Sequence, residues 1–317
     1  MTETNRIRGV LAPVVTPFRS DLSPDRERFV AHCKWLVAQN CGLAVFGTNS
    51  EANSLAAEER QELLDALVAS GVDPSRMMPG TGCCSTTETV NLTINAVQHG
   101  CAGVLMLPPF YYKDVTAEGL YRYFSEVVQR VGDVRLKIYL YHIPPVAVVG
   151  ITPNLVERLL KEYPKTIAGM KDSSGDWNQT KTFLDAFADK KNRDRPFDVF
   201  VGSETFLLAN MRHGGAGTIS ATANVNPAAI HRLFVEAGKS EAEKGMGTLE
   251  EQQEKLNVVR AVFARQNPMI AALKQAIAIS RNDPDWARLR PPLVELTPGQ
   301  ARVLQAELEK IDFRLPV

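Results

Sequence analysis

No apolar run in this 317-residue chain approaches the roughly 20 residues needed to span a bilayer. Met1 to Arg8 are polar and lack the apolar stretch of a secretory leader, which makes the cytoplasm the default location. An excess of either charge is also missing, since 36 basic and 36 acidic residues give a formal net charge of zero. Nucleic acids and anionic membranes both favour a basic field, so neither is expected as a partner. The cysteines are few and odd in number: Cys33, Cys41, Cys83, Cys84 and Cys101. None forms a C-x-x-C pair, so disulfides and structural zinc are not expected. The five histidines form no H-x-x-x-H or H-E-x-x-H, and no paired carboxylates stand at suitable strand ends. Metal catalysis is therefore not expected, and no cofactor is called for.

What is present is a packing-competent composition, 44% hydrophobic and 23% charged, which argues against disorder. Eight short apolar runs recur, each ending in small or polar residues: 9–18, 43–48, 77–82, 103–111, 136–144, 166–173, 197–203 and 217–223. Stretches such as Val10-Leu11-Ala12 and Ile138-Tyr139-Leu140 do not alternate polar with apolar, the mark of parallel strands buried on both faces. Helical patterns lie between them. Ser23-Pro24-Asp25 and Thr152-Pro153 read as helix starts, Thr116 and Ser54 as caps, and Gly42, Gly71 and Gly100 as stops.

Eight strand–helix units in series predict an α/β fold, a (β/α)8 barrel over residues 1–238. A doubly wound open sheet is the competing layout. It often carries a glycine-rich first turn, and the turn here, Thr16-Pro17-Phe18-Arg19, has no G-x-G-x-x-G. Helical patterns over 240–265, 268–281 and 298–311 predict a helical extension spanning 239–317.

Barrel enzymes place reactive groups at the C-terminal ends of strands. Lys171 follows Ile167-Ala168-Gly169-Met170 without a break, so the strand carries it inward. A buried lysine must be paired or neutral, and a neutral amine attacks a ketone to form an imine. Pairing with Asp172 or Glu204, or exposure at the strand end, is the alternative. Tyr141 ends the preceding strand, where a phenol could shuttle a proton or simply be a buried, hydrogen-bonded tyrosine. Tyr111 and Tyr112 have the same standing. Thr48 is a candidate for proton relay or anion binding, and the amides of Gly47 to Ser50 for cradling a carboxylate. His142 is a candidate for substrate contact; a solvent-facing histidine is the alternative.

In this order the segments resemble the dihydrodipicolinate synthase / N-acetylneuraminate lyase family of pyruvate-dependent aldolases, from about Gly9 to about Arg281. Gly47-Thr48-Asn49-Ser50-Glu51 resembles the family's G-[ST]-[TN]-G-E turn, which binds the keto acid's carboxylate. Tyr141-His142-Ile143-Pro144 resembles its Y-N-[VI]-P strand end, and 169–173 the segment holding the Schiff-base lysine. Residues 215–224 resemble its G-G-x-G-x-I-S-x-T-A-N strand. The resemblance implies that Lys171 forms the imine with a 2-oxo acid such as pyruvate. It also implies that Tyr141, Thr48 and Tyr112, the last reaching a neighbouring subunit, relay protons. Substrate contacts are implied for Gly47, Asn49, Ser50, His142, Gly202, Ser203, Glu204 and Ser220, and a homotetramer built as a dimer of dimers.

Departures narrow the reading. True dihydrodipicolinate synthases carry an arginine where this chain has Val146, which argues against lysine biosynthesis. Ser50 replaces the turn glycine and would need an unusual backbone angle. Asn49 with Gly-Met-Lys-Asp-Ser is similar to the family's 4-hydroxy-2-oxoglutarate aldolases. The first expectation is an aldolase that cleaves or forms a 4-hydroxy-2-oxo acid. The second is a dehydratase or deaminase of a 2-keto-3-deoxy sugar acid, and the third a ligand-responsive binding protein.

Overall fold

The computed structural model describes residues 6–188, 196–239 and 248–315. Its first half runs β1 (Gly9–Ala12), α1 (Arg26–Ala38), β2 (Gly42–Leu43), α2 (Ala57–Ala69), α3 (Thr86–Gln98), β3 (Val104–Met106), α4 (Ala117–Val131), β4 (Ile138–His142) and α5 (Pro144–Ala147). It continues with α6 (Pro153–Glu162), β5 (Ile167–Asp172), α7 (Trp177–Phe187), β6 (Asp198–Val201), α8 (Leu207–Arg212), β7 (Gly217–Ile219) and α9 (Pro227–Ala237). Three helices close it: α10 (Leu249–Ala264), α11 (Met269–Arg281) and α12 (Pro298–Lys310). Among the described residues no helix is long and apolar enough to cross a membrane.

The elements gather into two compact units. One holds the described chain up to Gly9 together with Asp73–Ile219. In it, β3 to β7 pair in parallel, each with the next in sequence. Every residue of these strands is buried, as continuous apolar runs demand. The expected strand at 77–82 is reduced to one bridge, Gly80 to Leu105, flanked by Thr81 N–H to Leu105 O and Leu105 N–H to Pro79 O. Pro79 lacks the N–H that a longer ladder needs. Thr152 and Thr116 cap α6 and α4 as expected, each accepting from the backbone N–H three residues on.

The second unit holds Val10–Val72 and the described residues from Ser220 onward. Here β1 pairs in parallel with β2, Leu11 opposite Gly42 and Ala12 opposite Leu43. The expected strand over 43–48 is cut short because the chain turns left-handed at Phe46 (φ 61°). Asp25, not Ser23, caps α1, and Ser54 lies ahead of α2 without capping it. Asn40 (φ 59°), not Gly42, makes the left-handed turn after α1, as asparagine can. Gly71 and Gly100 do follow α2 and α3 with positive φ. The helices α10, α11 and α12 bury Phe263, Leu273, Ile277, Leu304 and Leu308 with Trp286 in one core. The helical pattern of 240–265 is described only from Leu249; its first residues lie outside the described ones.

Candidate active site

In the first unit, β4 and β5 run side by side in a register that sets Tyr141 opposite Lys171 and His142 opposite Asp172. Side chains alternate across a strand, so each pair shares a face. Lys171 and Tyr141 are 3% and 2% exposed. The lysine Nζ donates to Tyr141 Oη at 3.3 Å and lies 4.4 Å from the centre of its ring. Among the described residues no carboxylate forms an ion pair with Lys171. The alternative in which Asp172 pairs with it is excluded, because that side chain faces the other way. Asp172 accepts from the Ser174 N–H (2.9 Å), the Ser174 hydroxyl (3.0 Å) and Thr180 of α7.

Glycines let the strands approach closely enough to hold this register. A Cβ on Gly169 would stand 2.9 Å from Tyr139 Cδ1 and 3.0 Å from the carbonyl carbon of Asp198, and closer still to its oxygen. A Cβ on Gly202 would run into the Ser173 side chain. Gly202 N–H bonds Asp172 O at 2.7 Å, and Ser173 N–H bonds His142 O at 2.7 Å, closing the strand ends around the lysine.

His142 corrects an expectation. Its ring is 2% exposed and both nitrogens are engaged by protein groups. Nδ1 accepts from the Ile151 N–H at 2.9 Å. The Gln179 side-chain amide lies 3.2 Å from Nε2. Phe183 of α7 stands edge-on, its ring centre 5.7 Å away. Burial holds the imidazole below its ordinary pKa, with Asp172 pulling the other way. His142 is thus buried and packed against α7, not the solvent-facing histidine of the alternative.

Tyr111 and Tyr112 lie 72% and 74% exposed, ring against ring at 5.3 Å. Ser203 accepts from the Thr205 N–H at 3.2 Å, and Glu204 is buried.

The second unit contains the turn expected to hold a carboxylate. Thr48 and Asn49 are half-buried and Ser50 is buried. Ser50 Oγ accepts from the Gly47 N–H at 3.2 Å, and Ser50 O accepts from the Thr16 hydroxyl at 2.7 Å. Ser50 needs no left-handed angle, against expectation: Phe46 and Glu51 (φ 56°) take the positive φ. Ser220 is also buried, and Arg260 of α10 donates to its hydroxyl at 3.1 Å. Nearby, Asn224 accepts from Val15 N–H at 3.0 Å and donates to Pro13 O and Ala221 O, tying the ends of two apolar runs.

Sequence reasoning missed Arg260, Lys274 and Gln179. Only Lys274 carried a signal, as the one charge within the apolar run Met269–Leu273 and Ala276–Ile279 of α11. Among the described residues no group of three or more His, Cys, Asp or Glu could hold a metal.

Residues 6–311 match the family model described as the dihydrodipicolinate synthetase family. An uncharacterized DapA-like lyase of Chloroflexus aurantiacus is 31% identical over 309 residues, covering 96% of this chain and 97% of that protein. The crystal structure of dihydrodipicolinate synthase from Agrobacterium tumefaciens superposes with a TM-score of 0.85 at 27% identity, covering 96% and 99% of the two chains. That of YagE from E. coli K12, solved in complex with pyruvate, gives 0.84 at 25% identity, again covering 96% and 99%. The fold is thus the (β/α)8 barrel with a C-terminal helical extension.

Proposed function

The chain belongs to the dihydrodipicolinate synthetase family of class I lyases, and from that premise we propose that it cleaves or forms a 4-hydroxy-2-oxo acid through an imine on Lys171. The observation that carries the reading is a buried amine with no carboxylate partner among the described residues, 3.3 Å from a buried phenol. Burial keeps bulk water from the amine, and the phenol is its hydrogen-bond partner, which supports an imine at Nζ with proton transfer through Tyr141.

The lysine Nζ adds to C2 of the 2-oxo acid, and the carbonyl oxygen leaves as water after two proton transfers. The iminium then draws electrons from C3. Tyr141 takes the proton of the C4 hydroxyl, the C3–C4 bond breaks, and its electrons form the pyruvate enamine as an aldehyde departs. Protonation of C3 and hydrolysis return pyruvate and the free amine. The same reading gives the substrate's carboxylate to the turn of Gly47, Thr48, Asn49 and Ser50, with Thr48 in the proton relay. It gives the distal half of the substrate to Gly202, Ser203, Glu204 and Ser220. Val146, 61% exposed, stands in place of the arginine of true dihydrodipicolinate synthases, which supports a different second substrate. The exposed pair Tyr111–Tyr112 supports a homotetramer in which Tyr112 meets a neighbouring subunit.

Sodium borohydride with pyruvate, followed by peptide mass spectrometry, tests the chemistry. A reduced pyruvyl adduct on Lys171 is expected. No adduct with pyruvate or other 2-oxo acids would refute it and leave a binding protein. Pyruvate released from 4-hydroxy-2-oxo acids, read with lactate dehydrogenase, marks the aldolase; loss of water without pyruvate marks a dehydratase.

A further inference from the structure

The turn at 47–51 carries a carboxylate of its own. Glu51 follows Ser50 directly and is left-handed (φ 56°), and its side chain is wholly buried, as is that of Lys274. Lys274 of α11 donates to Glu51 Oε1 at 2.7 Å and to Thr16 O at 2.7 Å. Its ammonium stands 4.5 Å from the centre of the Phe18 ring. Glu51 Oε2 accepts from the Arg290 N–H at 3.0 Å. The Thr16 hydroxyl in turn holds Ser50 O. One lysine thus joins the end of the first apolar run, the turn and the C-terminal helices.

One consequence follows from charge alone. A bare glutamate buried beneath the turn would repel any anion offered to it, more strongly than in water because burial lowers the local dielectric.

We propose that the buried Lys274–Glu51 ion pair cancels the negative charge of the 47–51 turn so that the turn can receive the carboxylate of a 2-oxo acid. This rests on the reading of that turn given above. Lys274 is a positioning residue: it acts through Glu51.

The test is borohydride trapping at varied concentrations of pyruvate and of hydroxyacetone, a ketone without the carboxylate, on Lys274→Met, Glu51→Gln and the double variant. Lys274→Met should raise the half-saturating pyruvate concentration about tenfold or more, the effect of one uncompensated charge at low dielectric. The maximal trapping rate should stay within about threefold, and the hydroxyacetone dependence should not move, because that ketone offers the turn no charge. The double variant, which has no bare carboxylate, should return to within about threefold of the parent. Glu51→Gln alone should not raise the pyruvate requirement at all.

A folded Lys274→Met with unchanged pyruvate dependence overturns the proposal. So does an equal shift for hydroxyacetone, or a double variant no better than Lys274→Met. Should Lys274→Met fail to fold, Glu51→Gln decides, since a raised pyruvate requirement there contradicts the charge argument. A parent chain that gives no adduct at all sinks the imine reading instead. Calorimetric titration of the same variants with pyruvate then reads the turn by itself.

Discussion

Replacing Gly169 by alanine should separate the barrel's stability from its chemistry. The added methyl would stand 3.0 Å from the Asp198 carbonyl carbon, closer to its oxygen, and 2.9 Å from the Tyr139 ring. Ordinary carbon contacts lie near 3.5–4.0 Å, so β5 must retreat from β6 by about 1 Å. Backbone cannot swing aside as a side-chain tip can, and Met170 to Asp172 are laddered to β6 through the same register. Overpacking of this kind costs about 1–3 kcal/mol, or roughly 2–10 °C in Tm. The chemical cost should be of similar size in free energy. Lys171 is two residues on, and a displacement of about 1 Å at a reacting group can cost about 100-fold in rate. Differential scanning calorimetry reads the first quantity, and the initial rate of borohydride trapping with saturating pyruvate the second. A variant with lower Tm but a trapping rate within twofold of the parent would refute the claim that this close approach aims the lysine.

Tyr141→Phe should lower kcat by about 100- to 10,000-fold, as loss of a general acid–base group does, while imine trapping on Lys171 persists at a reduced rate. A variant with full turnover would remove Tyr141 from the mechanism. His32, fully buried, accepts from the Arg281 guanidinium at 2.9 Å on Nδ1, and Nε2 meets Asn224 Oδ1 at 3.4 Å. Burial first, then the charge of Arg281, push its pKa from 6.5 down to about 3. The unfolded chain therefore takes up a proton near pH 6.5 that the fold refuses. Stability from this group is complete above pH 6.5 and falls as pH drops toward 3, by about 2–3 kcal/mol at pH 4.5. Urea titrations across pH 4–7 should show that slope, and His32→Asn should flatten it; an unchanged slope contradicts the assignment. Arg290 donates to both oxygens of Glu59 at 2.7 Å and to Ser54 O and Leu22 O at 2.6 Å. Arg290→Lys cannot keep the two-pronged geometry and should lower stability by about 1–3 kcal/mol, read as a shift of the urea midpoint.

The strand–helix order was legible because burial on both faces forces long apolar runs, and the burial of Lys171 was legible because it ends one of them without a polar break. Direction was not. His142 follows Tyr141 by one residue, and the pleat turns it toward α7, between Ile151 ahead of α6 and Gln179 of α7. That outcome depends on which parity β4 adopts, and nothing local in Tyr-His-Ile-Pro sets it. The cap of α1 fell on Asp25 rather than Ser23 because Pro24 is drawn into a bridge with Phe18, a contact beyond the reach of a capping rule. At Ser50 the departure from the family's glycine suggested strain in the wrong place: the left-handed angle belongs to Glu51, whose side chain is held by Lys274, more than two hundred residues away.

The alternation along β5 has a consequence for how the gene can change. Lys171 and Asp172 are neighbours in sequence, yet one meets the phenol and the other the threonine and serine outside it. A codon inserted or deleted just upstream would leave every chemical group in the protein's inventory and exchange their destinations, pointing the acid at the phenol and the amine at α7. Substitutions here can be graded by size and charge, but length cannot drift by one. The reactive end of this strand should therefore tolerate many spellings and only one count.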